Sequence, residues 1–237
     1  MELLQYIAAT VVTFLLALSW LRINDYLAHR GVISGPLSRK IIHMGTGPIF
    51  VLCWLFFPVA PLSRYLAALV PLAITIQFAM VGLGLMKDQS AVDAMSRNGD
   101  RREILRGPLF YGIVFVILTF IFWYDSPVGF VALMLLCGGD GLADIVGTRF
   151  PSLSLPWSRR KSIAGSIAMF VGGWVFAIAI LAIYVSLGKF SGPFSNYILA
   201  ITLISLIGAM VESLPFKDID NITVPAIAVI LGYFWLP

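Results

Sequence analysis

Two aspartates stand one helical turn apart in a stretch that is otherwise apolar and rich in glycine. The segment "GGDGLADIVGTRF", from Gly138 to Phe150, contains Asp140 and Asp144. Helical residues at i and i+4 lie on one face, about 5–6 Å apart at Cβ. Two carboxylates there repel each other unless a cation lies between them, and Mg²⁺ prefers carboxylate and phosphate oxygens. The pair predicts a Mg²⁺ site for Asp140 and Asp144; a helix end with solvated acids is the alternative.

A basic run, "SRRKS", follows the acidic pair along the chain and directly precedes a long apolar segment. Ser162, its last residue, is a predicted N-cap for the helix that follows. A helix N-terminus presents unpaired N–H groups and a partial positive charge, which suit a phosphate. Arg159, Arg160 and Lys161 add full positive charges, so these three residues and Ser162 are predicted phosphate ligands. A topology signal alone is the alternative.

A third polar segment, "VESLPFKDIDNITVP", begins at Val211 and interrupts two apolar runs near the end of the chain. Glu212 lies inside the first of these runs and is predicted to supply a further metal-binding carboxylate. Asp220 and Asn221 are predicted to bind the nucleotide through hydrogen bonds to its base or ribose. Asp218 fits either that role or a solvated turn.

Polar residues in the first half of the chain complete the set of candidates. "SRKIIHMGTG" supplies Arg39 and Lys40 as predicted phosphate ligands, and His43 as a candidate base or substrate contact. The long segment "KDQSAVDAMSRNGDRREILRGPLF" supplies Glu103 as a second candidate for substrate contact. This segment is either a lid over the site or a solvated connecting helix.

The elements that position these residues must lie in a membrane. Of the 237 residues, 59% are hydrophobic and 12% are charged, whereas a soluble domain carries about 25% charge. Most apolar runs reach the roughly 17–25 residues that cross a bilayer. The predicted spans are Leu3–Leu21, Ile41–Val59, Leu66–Leu85, Pro108–Trp123, Val128–Ile145, Ile163–Leu187, Ser195–Leu214 and Ile222–Leu236. We predict an all-α bundle of about seven to eight transmembrane helices in one domain, residues 1–237, with the crossing of the short last span left open.

The distribution of Lys and Arg predicts the orientation of these spans. Fourteen of the 16 basic residues fall in the loops after spans one, three, five and seven, and two fall in the other loops. The positive-inside rule then places the N-terminus outside and the odd loops in the cytoplasm. The segments predicted to form the site, residues 38–47, 101–108, 138–166 and 211–225, share that cytoplasmic face. For a bacterial cell, the membrane would be the inner membrane.

In this order, the segments "SRKIIHMGTG", "GDGLADIVGTRF", "RRKSIAGSIAMF" and "VES…DNITVP" resemble the polyprenol kinase family of membrane proteins. That family includes phytol kinases, dolichol kinases and CTP-dependent diacylglycerol kinases, and it is distantly similar to phosphatidate cytidylyltransferases. "EILRGPLFYG" most resembles the phytol kinase branch. The resemblance implies transfer of the γ-phosphate of CTP to a lipid alcohol with Mg²⁺. It implies catalytic roles for Asp140, Asp144 and Lys161, with Ser162 beside the phosphates.

The chain departs from the family pattern after the acidic pair, where Thr148 replaces a cation and Pro151 replaces a glycine in "GTRFP".

The catalytic base is either Asp140 or His43. The alternative activities are a cytidylyltransferase that forms a CDP-lipid and a CTP-dependent diacylglycerol kinase, and a transporter is the alternative without catalysis. The expected partners are a lipid alcohol from the bilayer, a nucleoside triphosphate and the membrane. No nucleic acid and no particular oligomeric state are expected.

Overall fold

The computed structural model describes residues 2–150, 152–215 and 219–237, and this part of the chain is almost entirely helical. One short hairpin, of strands β1 (Ser154–Leu155) and β2 (Ser158–Ser162), lies between the helices. A π-helical segment, Leu135–Asp140, joins the sixth helix to the seventh. The helices are α1 (Glu2–His29), α2 (Gly35–Cys53), α3 (Pro61–Leu83), α4 (Gln89–Met95), α5 (Gly107–Phe122), α6 (Pro127–Met134), α7 (Gly141–Arg149), α8 (Ile163–Ser186), α9 (Ser195–Glu212) and α10 (Asp220–Trp235).

The predicted membrane class is confirmed. The predicted apolar spans largely coincide with helices. In the described part of the chain 6 helices are long and apolar enough to cross a bilayer, and α2, which holds most of the predicted span Ile41–Val59, is not among them. These 6 are Leu3–His29, Pro61–Leu83, Arg101–Phe122, Pro127–Arg149, Ile163–Ser186 and Ser195–Glu212, while Asp220–Trp235 is a shorter apolar helix. The chain is therefore a multi-pass membrane protein. The orientation of its spans stays a prediction.

The helices form two compact units, residues 1–121 and residues 122–237. In the first unit, α4 packs its apolar side chains into a buried cluster with residues of α1, α2 and α3. The cluster consists of Leu21, Ile42, Phe78, Val81, Val92, Ala94, Met95 and Ile104. One face of α4 is therefore buried, while Lys87, Gln89 and residues 97–102 of the same segment are exposed, so a solvated connecting helix stays a prediction. The lid alternative stays a prediction, as does the assignment of the chain to a single domain.

The second unit depends on glycines that let two helical segments touch through their backbones. A Cβ atom added at Gly172 of α8 would lie 2.4 Å from the carbonyl oxygen of Gly138. One added at Gly139 would lie 2.6 Å from the sulfur of Met169, also on α8. Small residues permit such close approach between transmembrane helices. The glycines before Asp140 thus serve helix packing, and they fix the backbone that carries this aspartate.

Candidate active site

Three carboxylates come together in the second unit. Asp140 ends the π-helical segment, Glu212 is the last residue of α9, and Asp220 is the first residue of α10. One carboxylate oxygen from each of them lies within 4.8 Å of the other two. Asp140 and Glu212 retain only 8% and 4% of their exposure. Buried carboxylates held this close to one another require positive charge beside them.

Lys161, on strand β2, supplies that charge. Its ammonium group donates a hydrogen bond to Oε1 of Glu212, and its Nζ atom lies 3.5 Å from Oδ2 of Asp220. Burial alone would lower the pKa of Lys161, but the carboxylates of Glu212, Asp220 and Asp140 together raise this pKa above its usual value. The ammonium group is therefore charged at neutral pH, and it links the loop before α8 to the ends of α9 and α10.

The hairpin that carries Lys161 is attached to the end of α9 by a tryptophan. The indole N–H of Trp157 donates to the backbone oxygen of Ser213 at 3.1 Å and is 3.2 Å from the Ser213 hydroxyl oxygen. Ser213 directly follows Glu212, so this contact lies beside the pairing of Lys161 with Glu212. Two contacts therefore hold the hairpin against α9. Sequence reasoning missed this attachment, although a tryptophan at the hairpin turn was a usable signal.

The predicted helix cap after Lys161 is confirmed. The hydroxyl oxygen of Ser162 accepts a hydrogen bond from the backbone N–H of Gly165 at 3.2 Å, as an N-cap residue does. A Cβ added at Gly165 would lie 3.1 Å from the carbonyl oxygen of Ala143, so the first turn of α8 packs closely on α7. α8 therefore begins two residues after Lys161, whose ammonium group contacts the acids.

Asp144 lies outside this carboxylate group. It follows Asp140 by one turn on α7, but its side chain is exposed whereas Asp140 is buried. Asp220, predicted for nucleotide binding, occupies the third position instead. The sequence signal for the position of Asp220 was its place at the start of a helix that closely follows Glu212.

The other predicted residues of the second unit surround the group. Arg159 and Arg160 are exposed on β2. Asn221 is buried, and its backbone N–H donates to Oδ1 of Asp220 at 3.1 Å. This bond orients the Asp220 carboxylate, whose other oxygen faces Lys161. Asp218 and Pro151 lie outside the described residues.

The remaining candidates lie in the first unit. Lys40 is buried and Arg39 is half-buried on α2. The ring of His43 packs on that of Tyr111 with centroids 4.3 Å apart, and the Tyr111 hydroxyl donates to the His43 carbonyl at 2.7 Å. The Glu103 carboxylate accepts a hydrogen bond at 3.1 Å from the side-chain amide of Asn98. Their roles in binding stay predictions.

Comparison with known proteins gives the chain its family. It is 37% identical over 234 residues to phytol kinase 1, chloroplastic, from Arabidopsis thaliana, covering 98% of this chain and 77% of that protein. It is 35% identical over 235 residues to a probable phytol kinase 1, chloroplastic, from Glycine max, covering 98% and 78%. The chain belongs to the phytol kinase-like polyprenol kinase family.

Another member of the polyprenol kinase family is also similar. This is farnesol kinase, chloroplastic, from Arabidopsis thaliana, 36% identical over 234 residues, covering 98% of this chain and 76% of that protein. No family model matches the chain, and no solved structure does. As a member of the polyprenol kinase family, the chain is an enzyme, a phosphotransferase that acts on an alcohol group. Membership thus decides for the enzymatic interpretations and against the transporter.

Proposed function

We propose that this enzyme phosphorylates a membrane-embedded isoprenoid alcohol, phytol or another prenol, with CTP as the phosphoryl donor and Mg²⁺ as the metal. One observation carries the proposal. A partly buried lysine and three carboxylates meet directly before α8, in a chain whose similar proteins are named phytol and farnesol kinases. Phosphoryl transfer requires positioning and charge neutralisation above all else, and these are the properties of such a cluster.

The chemistry of the carboxylate group fits Mg²⁺. Mg²⁺ takes oxygen ligands at about 2.0–2.1 Å and is usually held by one or two carboxylates, waters and substrate phosphates. Asp140, Glu212 and Asp220 offer three such oxygens within 4.8 Å of one another. Asp140, Glu212 and Asp220 would hold the ion, which would neutralise charge on the phosphates of the nucleotide. Asp144 is exposed one turn away from Asp140, and we assign its carboxylate a contact with the nucleotide.

The positive groups beside the acids suit the nucleotide phosphates. Lys161 meets the acids directly before Ser162, which caps α8. Arg159 and Arg160 extend the positive surface along the exposed part of β2. Cations bind phosphate and stabilise the charge that develops during transfer, and the partial positive charge of a helix N-terminus adds to them.

The reaction joins the alcohol oxygen to the γ-phosphorus of the donor and breaks the bond between that phosphorus and the β,γ-bridging oxygen. The products are a nucleoside diphosphate, a prenyl monophosphate and one proton. A base within hydrogen-bond reach of the hydroxyl must accept that proton. Asp140, in the buried acid group, and His43, on α2, are both kept as candidates. The apolar helices would hold the isoprenoid chain.

A donor and acceptor panel tests the proposal. Purified enzyme is incubated with Mg²⁺, with CTP or ATP, and with phytol, geranylgeraniol, farnesol, dolichol or diacylglycerol, and the products are identified by mass spectrometry. We expect CDP together with a prenyl monophosphate. Formation of pyrophosphate with a CDP-lipid from a lipid phosphate would contradict the proposal, and so would phosphorylation of diacylglycerol alone. Comparable turnover with CTP and ATP would contradict the choice of donor.

A further inference from the structure

The ammonium group of Lys161 already occupies the cation position of the acid group. It bonds to Glu212, lies 3.5 Å from Asp220, and interacts with the charge of Asp140. These are the same three acids whose oxygens lie within 4.8 Å of one another. A tethered monovalent cation thus lies where a divalent cation would bind.

Charge and space make the two cations competitors. Three carboxylates and one ammonium group carry a net charge of about −2, which favours a divalent ion over the amine. One oxygen from each acid lies within 4.8 Å of the other two, so the three acids surround a single position for a cation. The oxygens that bind the ion would then be those that Lys161 contacts, so both cations cannot hold them together.

The position of Lys161 gives the displaced ammonium group a destination. The residue directly follows Arg159 and Arg160, whose exposed side chains on the same strand suit a phosphate. Lysine has a flexible four-carbon stem with three rotatable donors. A rotation of this side chain would carry its ammonium group from the acids toward phosphates bound beside these arginines.

We propose that Lys161 is an exchangeable placeholder: its ammonium group holds Asp140, Glu212 and Asp220 together before the reaction, yields them to the arriving divalent cation, and then binds the phosphates of the nucleotide. This inference rests on the proposed function and adds a sequence of events to it. The placeholder keeps three mutually repelling acids in position while no metal is bound. It also makes binding of the lysine to phosphate depend on prior binding of the metal.

Amine labelling tests the exchange without any turnover. Full-length enzyme in detergent is acetylated briefly with an N-hydroxysuccinimide ester at fixed pH, and modification of Lys161 is measured by peptide mass spectrometry relative to exposed Lys87. The amine should react slowly in the metal-free enzyme, because it is bonded to the carboxylates and partly buried. We expect saturating Mg²⁺ to raise the labelling of Lys161 several-fold. A non-hydrolysable CTP analogue added with Mg²⁺ should lower it again.

Two variants sharpen this test. In Asp140→Asn the lysine keeps both of its direct partners, but the metal site loses a ligand, so Mg²⁺ should no longer raise labelling. In Asp144→Asn, which changes an acid outside the group, the rise should persist. Labelling of wild-type Lys161 that Mg²⁺ leaves unchanged or lowers would overturn the placeholder. If that result accompanied prenol phosphorylation, the exchange would fail and the proposed function would stand. Absence of prenol phosphorylation would instead refute the function, whatever the labelling showed.

Discussion

The Nζ atom of Lys161 lies 3.5 Å from Oδ2 of Asp220, joining the strand before α8 to the first residue of α10. Through Glu212 the same ammonium group also reaches the end of α9. Three helix ends of the second unit are therefore connected at one charged point. The sequence left open that Lys161 acts only as a topology signal. The structure gives this lysine a specific position among the acids.

Substitution of Lys161 should impair transfer more than substitution of a neighbouring cation. We expect Lys161→Ala to lower kcat by about 100-fold, because a donor to developing transition-state charge is lost. Arg149→Ala should have a much smaller effect, since Arg149 ends α7 and is exposed. Lys161→Arg should recover part of the activity by keeping the charge. Steady-state kinetics with CTP varied at saturating prenol measure all three, and unchanged kcat and KM in Lys161→Ala would mean that the phosphates bind elsewhere.

Substitutions of Asp220 and Asp144 should differ in their effect on the Mg²⁺ concentration that the enzyme requires. Asp220→Asn should raise the Mg²⁺ concentration needed for half-maximal activity, because Asp220 belongs to the carboxylate group and loses its charge. Asp144→Asn should lower turnover without shifting that concentration, since the exposed Asp144 lies outside the group. The measurement is activity against free Mg²⁺ at saturating CTP and prenol. A shift in Asp144→Asn with none in Asp220→Asn would reverse the assignment of the two aspartates.

Close backbone contact between the π-helical segment and α8 should be sensitive to a single methyl group. Gly172→Ala would place Cβ 2.4 Å from the Gly138 carbonyl oxygen, and we expect it to lower the free energy of unfolding by about 1–3 kcal/mol. Gly173→Ala is the matched control, because its Cβ would lie 3.2 Å from its nearest neighbour, Cγ of Leu135, instead of 2.4 Å. Reaction of buried Cys137 with a maleimide dye during heating, in a Cys53→Ala background, measures both. Equal thermal stability of the two variants would contradict the packing argument.

The orientation predicted from Lys and Arg can be tested with single cysteines. In a background that lacks Cys53 and Cys137, cysteines at the exposed positions Ser34 and Ser154 should react with an impermeant maleimide only from the cytoplasmic side. A cysteine at exposed Ser191, in a predicted outer loop, should react only from the opposite side. Labelling of the cysteine at Ser154 from the outer side would contradict the predicted location of the acid group at the cytoplasmic face.

Local signals in the sequence predicted the helices well. Apolar runs located every long helix, and Ser162 was predicted as the cap that it is, because helix length and capping depend on neighbouring residues. The π-helical segment Leu135–Asp140 was not predicted, since one inserted residue leaves the apolar pattern intact. The burial of α4 was missed as well, because its charged flanks obscured its apolar face.

The candidate site was predicted in part, for a related reason. The sequence brought Asp140, Lys161 and Glu212 under consideration through their unusual types within apolar surroundings. It did not decide whether Asp220 contacts the metal or the nucleotide, because the position of Asp220 beside Glu212 depends on how α10 packs against α9. Nor did it predict the contact of Trp157 with Ser213, which joins residues far apart in the chain.

Transfer of labelled phosphate tests the central claim most directly. Purified enzyme is given CTP labelled at the γ-phosphorus, Mg²⁺ and phytol, and the labelled lipid product is quantified for wild type, Asp140→Asn and Glu212→Gln. Protection of buried Cys137 from a maleimide shows that each variant is folded. With the wild-type enzyme we expect the label on phytyl monophosphate. In both variants we expect the rate of product formation to fall by about 100-fold or more. Wild-type rates in folded Asp140→Asn and Glu212→Gln would contradict the central claim.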